Sequence, residues 1–246
     1  LGIMVSGIAH EINNPNNLVM FNSDILSHLF DEIIPVLDKY AVSHQDFEIE
    51  GIPYKDMKME MKDLMLGINM GAERIKTLVA NLKQFIRADA GALNQQVNIN
   101  SVIKSSIIIL GNLIKKATDR FEEDLDSSIP LILGNEQQIE QVIINLLSNA
   151  CQALTKKKQR IMIKTGWKSE SETVTITITD EGKGIPHENL KKVMDPFFTT
   201  RRDEGGTGLG LSVTFSIIEA HHGNLRFESE AGLGTTVIVT LPMLKK

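Results

Sequence analysis

From Met57 to Phe85 the residues Met57, Met61, Leu64, Ile68, Gly71, Ile75, Leu78, Leu82 and Phe85 recur at steps of four and three without a break. Only a helix brings residues so spaced onto one stripe, and the heptad-like step is that of a bundle seam. Upstream, Leu18, Phe21, Ile25, Leu29, Ile33 and Val36 repeat the pattern and predict a first helix that starts with the first residues. Between the two, from Ala41 to about Lys55, the periodicity lapses and Ser43, Gly51 and Pro53 supply turn chemistry, as a connector requires. A lone helical hairpin buries too little surface to stand by itself, so the seams call for a second copy and a four-helix homodimer.

The pattern changes at Ala88 to Asn94, where the domain boundary is expected. Beyond it the spacing predicts helices near Asn100 to Lys116, Asn135 to Lys156 and Leu209 to His221. Strands are expected at Arg160 to Lys168, Thr173 to Asp180, Leu225 to Glu230 and Thr235 to Leu241. Helices covering one face of an antiparallel or mixed sheet form a sandwich, so the fold class is α+β: a hairpin domain over residues 1–90 and an α/β sandwich over 95–246.

Charge and cysteine usage exclude several functions. With 31 acidic against 26 basic residues and no basic block, the chain lacks what would neutralise the phosphates of a nucleic acid. The single cysteine, Cys151, can form neither an intrachain disulfide nor a thiolate metal cage, and it fits a reducing, cytoplasmic setting. No apolar run reaches the length of a membrane span, so no direct membrane contact is expected of this chain. Because it opens inside a helical pattern without an initiating methionine, the expectation is a piece of a longer protein, whose parent could be membrane-anchored.

Three stretches carry groups that suit a nucleotide. Asn145-Leu-Leu-Ser-Asn149 places two carboxamides four residues apart, on one helical face. Asp180-Glu-Gly-Lys-Gly184 sets a carboxylate at a strand end, an acceptor for an exocyclic amine, followed by glycines where the backbone must turn. Gly205-Gly-Thr-Gly-Leu-Gly210 runs into a helix N-terminus, whose free amides and dipole favour phosphate. In this order, and with Asp195-Pro-Phe-Phe-Thr-Thr200 between the second and third, they resemble the N, G1, F and G2 boxes of the histidine-kinase ATPase domain, over about Gln96 to Leu241.

That resemblance implies an ATP site. Asn149 would coordinate Mg²⁺, Asn145 would assist at the phosphates, and Asp180, with Thr235 beside it, would read adenine while Gly182 and Gly184 let the base approach. It implies a mobile lid from about Ile185 to Gly206. It further implies that Phe198 of the F box, Arg201 after it, and Gly206, Thr207, Gly208, Leu209, Gly210 and Leu211 of the G2 box belong to the nucleotide site, with Arg201 and the glycine turn toward the phosphates. Related ATPases of the gyrase and chaperone type have a glutamate at the position of Asn145 to activate water. An amide cannot act as that base, which spares ATP for transfer to the protein.

The N-terminal residues Ser6-Gly-Ile-Ala-His10-Glu-Ile-Asn-Asn-Pro15 resemble the H box of sensor histidine kinases, with the resemblance covering residues 1–90. A neutral imidazole nitrogen is nucleophilic near pH 7, and Glu11 could accept the other ring proton and orient the ring. Pro15 predicts a helix bend next to His10. Asn14 shares a face with His10, and in this family an amide there can position water to hydrolyse a partner's phosphoaspartate. The resemblance therefore implies autophosphorylation on His10, transfer to an aspartate of a response-regulator receiver domain, and a regulator phosphatase. Two rivals share the nucleotide fold: a serine/threonine kinase or plain ATPase, and a non-enzymatic scaffold binding nucleotide and a receiver protein. His28, His44, His187, His221, His222 and Cys151 are read as structural or solvated, and the methionines of the second helix as packing.

Overall fold

The computed structural model describes residues 2–44, 46–87, 93–201 and 206–244, with side chains described from Ala9 onward and not for residues 81–87. Leu82 and Phe85 of the predicted seam, most of the boundary stretch at 88–94, and residues 202–205 of the expected lid, Gly205 among them, thus lie outside the described side chains or residues. The chain forms two compact units, residues 1–83 and 84–246.

The first unit is a helical hairpin. Helix α1 (Gly2–Ser43) runs through Pro15 and Pro35, and helix α2 (Tyr54–Arg87) returns. The connector is shorter than its composition suggested. It contains two paired two-residue strands, β1 (Glu48–Ile49) and β2 (Ile52–Pro53), turned by Glu50 and Gly51 at positive φ. Phe47 and Tyr54 pack there with Ile34 and Met57, while the Tyr54 hydroxyl donates to Asp38 at 2.7 Å and Lys58 pairs with the same carboxylate at 2.8 Å.

The residues buried on the inner faces of the two helices are Ala9, Asn16 and Ser23, seven apart on α1, and Met65, Ala72 and Val79, seven apart on α2. The Asn16 amide donates to the Ala72 carbonyl at 2.8 Å. The large apolar residues of the predicted seams face outward instead: Leu18, Phe21 and Val36 are 62%, 63% and 66% exposed, and Met61, Leu64, Ile68 and Ile75 are exposed as well. Of the α2 seam, Met57 is buried within the hairpin. One chain therefore leaves its widest apolar face uncovered.

The second unit is a sandwich built on a five-stranded mixed sheet, ordered β4 (Arg120–Leu125), β6 (Arg160–Lys168), β7 (Thr173–Asp180), β9 (Gly234–Pro242), β8 (Asn224–Glu230). β4 runs parallel to β6 and the other neighbours are antiparallel. Strands β3 (Gln95–Val97) and β5 (Ile132–Gly134) pair separately. Three helices share a core with the large sheet: α3 (Ile99–Ala117), α4 (Glu136–Ala153) and α6 (Gly210–Ala220), with the one-turn α5 (His187–Leu190) between the last two.

Strand alternation explains the core. Val174, Ile176 and Ile178 of β7 and Val237, Val239 and Leu241 of β9 point inward and are almost wholly buried, each worth about 1.5–3 kcal/mol. The threonines between them are only partly covered. α3 and α4 open on asparagine caps: Asn98 accepts from the Ser101 amide and Asn135 from the Gln138 amide, each at 3.1 Å. α4 stops at Ala153, where the fold turns into β6, rather than continuing to Lys156.

Candidate functional site

Period two places the carboxylate. Asp180 follows Val174, Ile176 and Ile178 as the last inward position of β7, and Thr235 is the first such position of β9 and its register partner. Asp180 is 5% exposed, and burial lifts its carboxyl from the ordinary 3.8 to about 6, against the opposing pull of the Gly182 and Thr235 backbones. The Gly182 amide donates to Asp180 Oδ1 at 2.9 Å. Thr235 Oγ1 lies 2.8 Å from the Ser229 hydroxyl, which also donates to Gly234 O and accepts from the Ile185 amide. Ser229 had no sequence signal beyond its place in a strand.

The two glycines after Asp180 answer to the protein's own backbone. A Cβ on Gly182 would sit 2.6 Å from the Ala153 carbonyl, and one on Gly184, at φ 64°, would sit 2.0 Å from that of Glu230. The close packing of the Asp180 turn on the end of α4 is reinforced by Lys183 N–H, which donates to Ala153 O at 3.0 Å. Gln159 fastens the same corner: its Oε1 accepts from the Thr155 and Lys156 amides, and its Nε2 donates to Glu181 O.

α4 is the spine of the site. Asn145 and Asn149 lie on one face of it, both half-buried. Arg201 reaches Asn149, its Nη2 standing 3.4 Å from Asn149 Oδ1. Asn145 is engaged with protein on both ends of its amide: Oδ1 accepts from Gln141 Nε2 at 2.9 Å, and Nδ2 donates to Gly210 O at 3.2 Å and lies 3.4 Å from Thr214 Oγ1. It ties α4 to the first turn of α6, a link that the spacing of two asparagines did not reveal.

The glycine turn leads into α6. Leu209 is buried and precedes a helix whose first amides have no side-chain cap, unlike those of α3 and α4. The side chain of Thr207 is 3.4 Å from Leu209 N, Gly208 has φ 69°, and its carbonyl accepts from Phe197 N at 3.0 Å. Phe197 itself has φ 67° and is 56% exposed, while Phe198, Gly206, Gly210 and Leu211 are half-buried. Gly206 N–H closes on Arg201 O at 2.9 Å. Cys151 is buried, and burial pushes its thiol up to about 11, as expected of an inert core residue.

In the hairpin unit, His10, Glu11 and Asn14 are all exposed on α1, with Ala9 beside them fully buried. Among the described residues no cluster of three or more His, Cys, Asp or Glu could hold a metal ion, and no helix is long and apolar enough to cross a membrane.

An α/β sandwich with a buried strand-end carboxylate, a carboxamide-bearing helix and an uncapped helix start after a glycine turn defines a nucleotide-binding ATPase domain. Residues 134–245 match the family of histidine kinase-, DNA gyrase B-, and HSP90-like ATPases. A putative sensor protein of Shewanella frigidimarina is 34% identical over 238 residues, which is 96% of this chain and 36% of that protein, so the chain spans about a third of that relative's length. The catalytic domain of histidine kinase ThkA is 30% identical over 60% of this chain and 94% of its own, with a TM-score of 0.53. Full-length ShkA in complex with AMPPNP shares the fold across the whole chain and 47% of its own length, with a TM-score of 0.71 at 16% identity. ThkA in complex with the response regulator TrrA does so over 99% of this chain and 62% of its own, at 23% identity and a TM-score of 0.59. The chain belongs to the sensor histidine kinases and comprises their catalytic core.

Proposed function

We propose that this chain binds Mg-ATP in its sandwich unit, transfers the γ-phosphoryl group to His10, and passes it on to an aspartate of a response-regulator receiver domain. The observation that carries this reading is the pairing of an exposed His10, in an H-box sequence, with the Asp180, Asn149 and α6 arrangement in one chain. The AMPPNP bound by ShkA and the TrrA bound by ThkA support the nucleotide and the regulator as partners.

In this reading Asp180 accepts from the adenine amine, the start of α6 and Arg201 hold the phosphates, and Asn149 holds Mg²⁺. A lone amide oxygen suits a hard cation that takes its remaining ligands from phosphates and water. The metal, when bound, neutralises charge on the phosphate oxygens. Glu11 orients the His10 ring, and Asn14 positions water for dephosphorylation of the regulator. Residues 1–90 serve as the dimerisation and phosphotransfer domain and 95–246 as the catalytic domain, acting in the cytoplasm. A second copy of the chain covers the apolar face of the hairpin.

Incubation with γ-labelled ATP and Mg²⁺ tests this. The expected product is an acid-labile, base-stable phosphoryl group that is lost in His10→Gln while nucleotide binding survives. Label that persists in the variant, or that resists acid, overturns the reading.

A further inference from the structure

α4 carries a third carboxamide on the face that bears Asn145 and Asn149. Gln141 stands one turn before Asn145, half-buried, and its Nε2 donates to Asn145 Oδ1 at 2.9 Å. Asn145 in turn donates to Gly210 O at 3.2 Å, in the first turn of α6. The direction of this relay is forced at its far end. A main-chain carbonyl only accepts, so the Asn145 NH₂ must face Gly210 and its Oδ1 must face Gln141. Gln141 then has to present its own NH₂. A carboxylate at position 141 could not do so, and it would pull the Asn145 amide round to set oxygen against the Gly210 carbonyl.

We propose that Gln141 is a positioning residue for phosphoryl transfer, acting through Asn145 to hold the glycine turn and the start of α6 at a fixed place over α4. This rests on the nucleotide reading above, since the start of α6 matters only if phosphates sit there. Gln141 touches no reacting atom. Its effect falls on the orientation of the phosphates, so it belongs to kcat, while adenine recognition at Asp180, at the other end of α4, is left intact.

The experiment is a double-mutant cycle on the full chain, reading kcat for autophosphorylation and, separately, ATP affinity with a fluorescent ATP analogue. Gln141→Leu removes the hydrogen bond to Asn145 and should lower kcat about fivefold. Gln141→Glu, which has nearly the same shape, should lower it further, by about tenfold or more, because it reverses the Asn145 amide. Analogue affinity should change less than about twofold in Gln141→Leu. In an Asn145→Ala background the Gln141→Leu change should have no further effect on kcat, because the group it acts through is gone. A merely structural role would make Gln141→Glu the milder of the two and leave the effects additive. Either outcome, or wild-type kcat in both variants, overturns the proposal. Failure of the nucleotide reading looks different: the unaltered chain would then neither bind the analogue nor form phosphohistidine.

Discussion

Asp180 combines two demands that oppose each other. As the proposed acceptor for an exocyclic amine it serves best when ionised, yet it sits 5% exposed at the end of a core-facing series. With its carboxyl raised to about 6, ATP affinity should fall as pH drops below that value, and a titration of binding between pH 5 and 8 checks it. The stability consequence has the opposite sense. A folded value above the ordinary 3.8 means the contribution is fully present below 3.8 and lost as pH rises through about 6. At about 1.4 kcal/mol per tenfold change in proton affinity, the loss is at most roughly 3 kcal/mol. Asp180→Asn should therefore raise the melting temperature of the nucleotide-free protein at pH 7.5 while abolishing ATP binding. A variant that melts lower and binds normally would contradict both statements.

At the scale of elements, α4 and α6 are joined at two levels: by Asn145 near the start of α6, and by His221 at its end. The His221 ring, buried, donates from Nδ1 to Ile217 O at 2.8 Å and accepts at Nε2 from Asn135 N–H at 3.0 Å, so it must be neutral. Burial lowers its pKa from the usual 6.5, with His222 adding to the effect. Its stabilisation is present above 6.5 and lost as pH falls through the lower folded value. His221→Leu should cost about 1–3 kcal/mol at pH 7.5, and the gap from the unaltered protein should narrow on acidification. Thermal melts of both proteins across pH 5 to 7.5 measure it.

β6 and β7 could be read because their inward positions alternate with polar ones, and α3 because its apolar spacing is long and regular. β4, Arg-Phe-Glu-Glu-Asp-Leu, has only Phe121 and Leu125 to signal a strand, because its edge position lets charged side chains pair across to β6, as Lys164 does with Asp124. β3 and β5 span three residues each, too few to show a period. Among candidate site residues, types and order could be read in Asp180, Asn145 and Asn149. The contacts of Gln141, Ser229 and Gln159 depend on where distant backbone arrives, which no local spacing encodes.

At the scale of the molecule, the apolar stripes of the hairpin were legible but their partner was not. They pointed to a bundle, and within one chain they face outward, with Ala9, Asn16, Ser23, Met65, Ala72 and Val79 taking the inner positions. If a second copy covers them, Leu18→Glu with Ile25→Glu should convert a dimer to a monomer with exposed hairpin, read as halved mass in light scattering. An unaltered chain that is monomeric at micromolar concentration would refute the dimer.

That inner seam has a further meaning for how the hairpin survives. Ser23 is buried with no hydrogen-bond partner for its hydroxyl, and the alanines bring little area to the contact. If a second copy covers the outer stripe, much of the hairpin's cohesion comes from across it, separation of the chains and melting of the hairpin become one event, and dilution alone should lower its melting temperature.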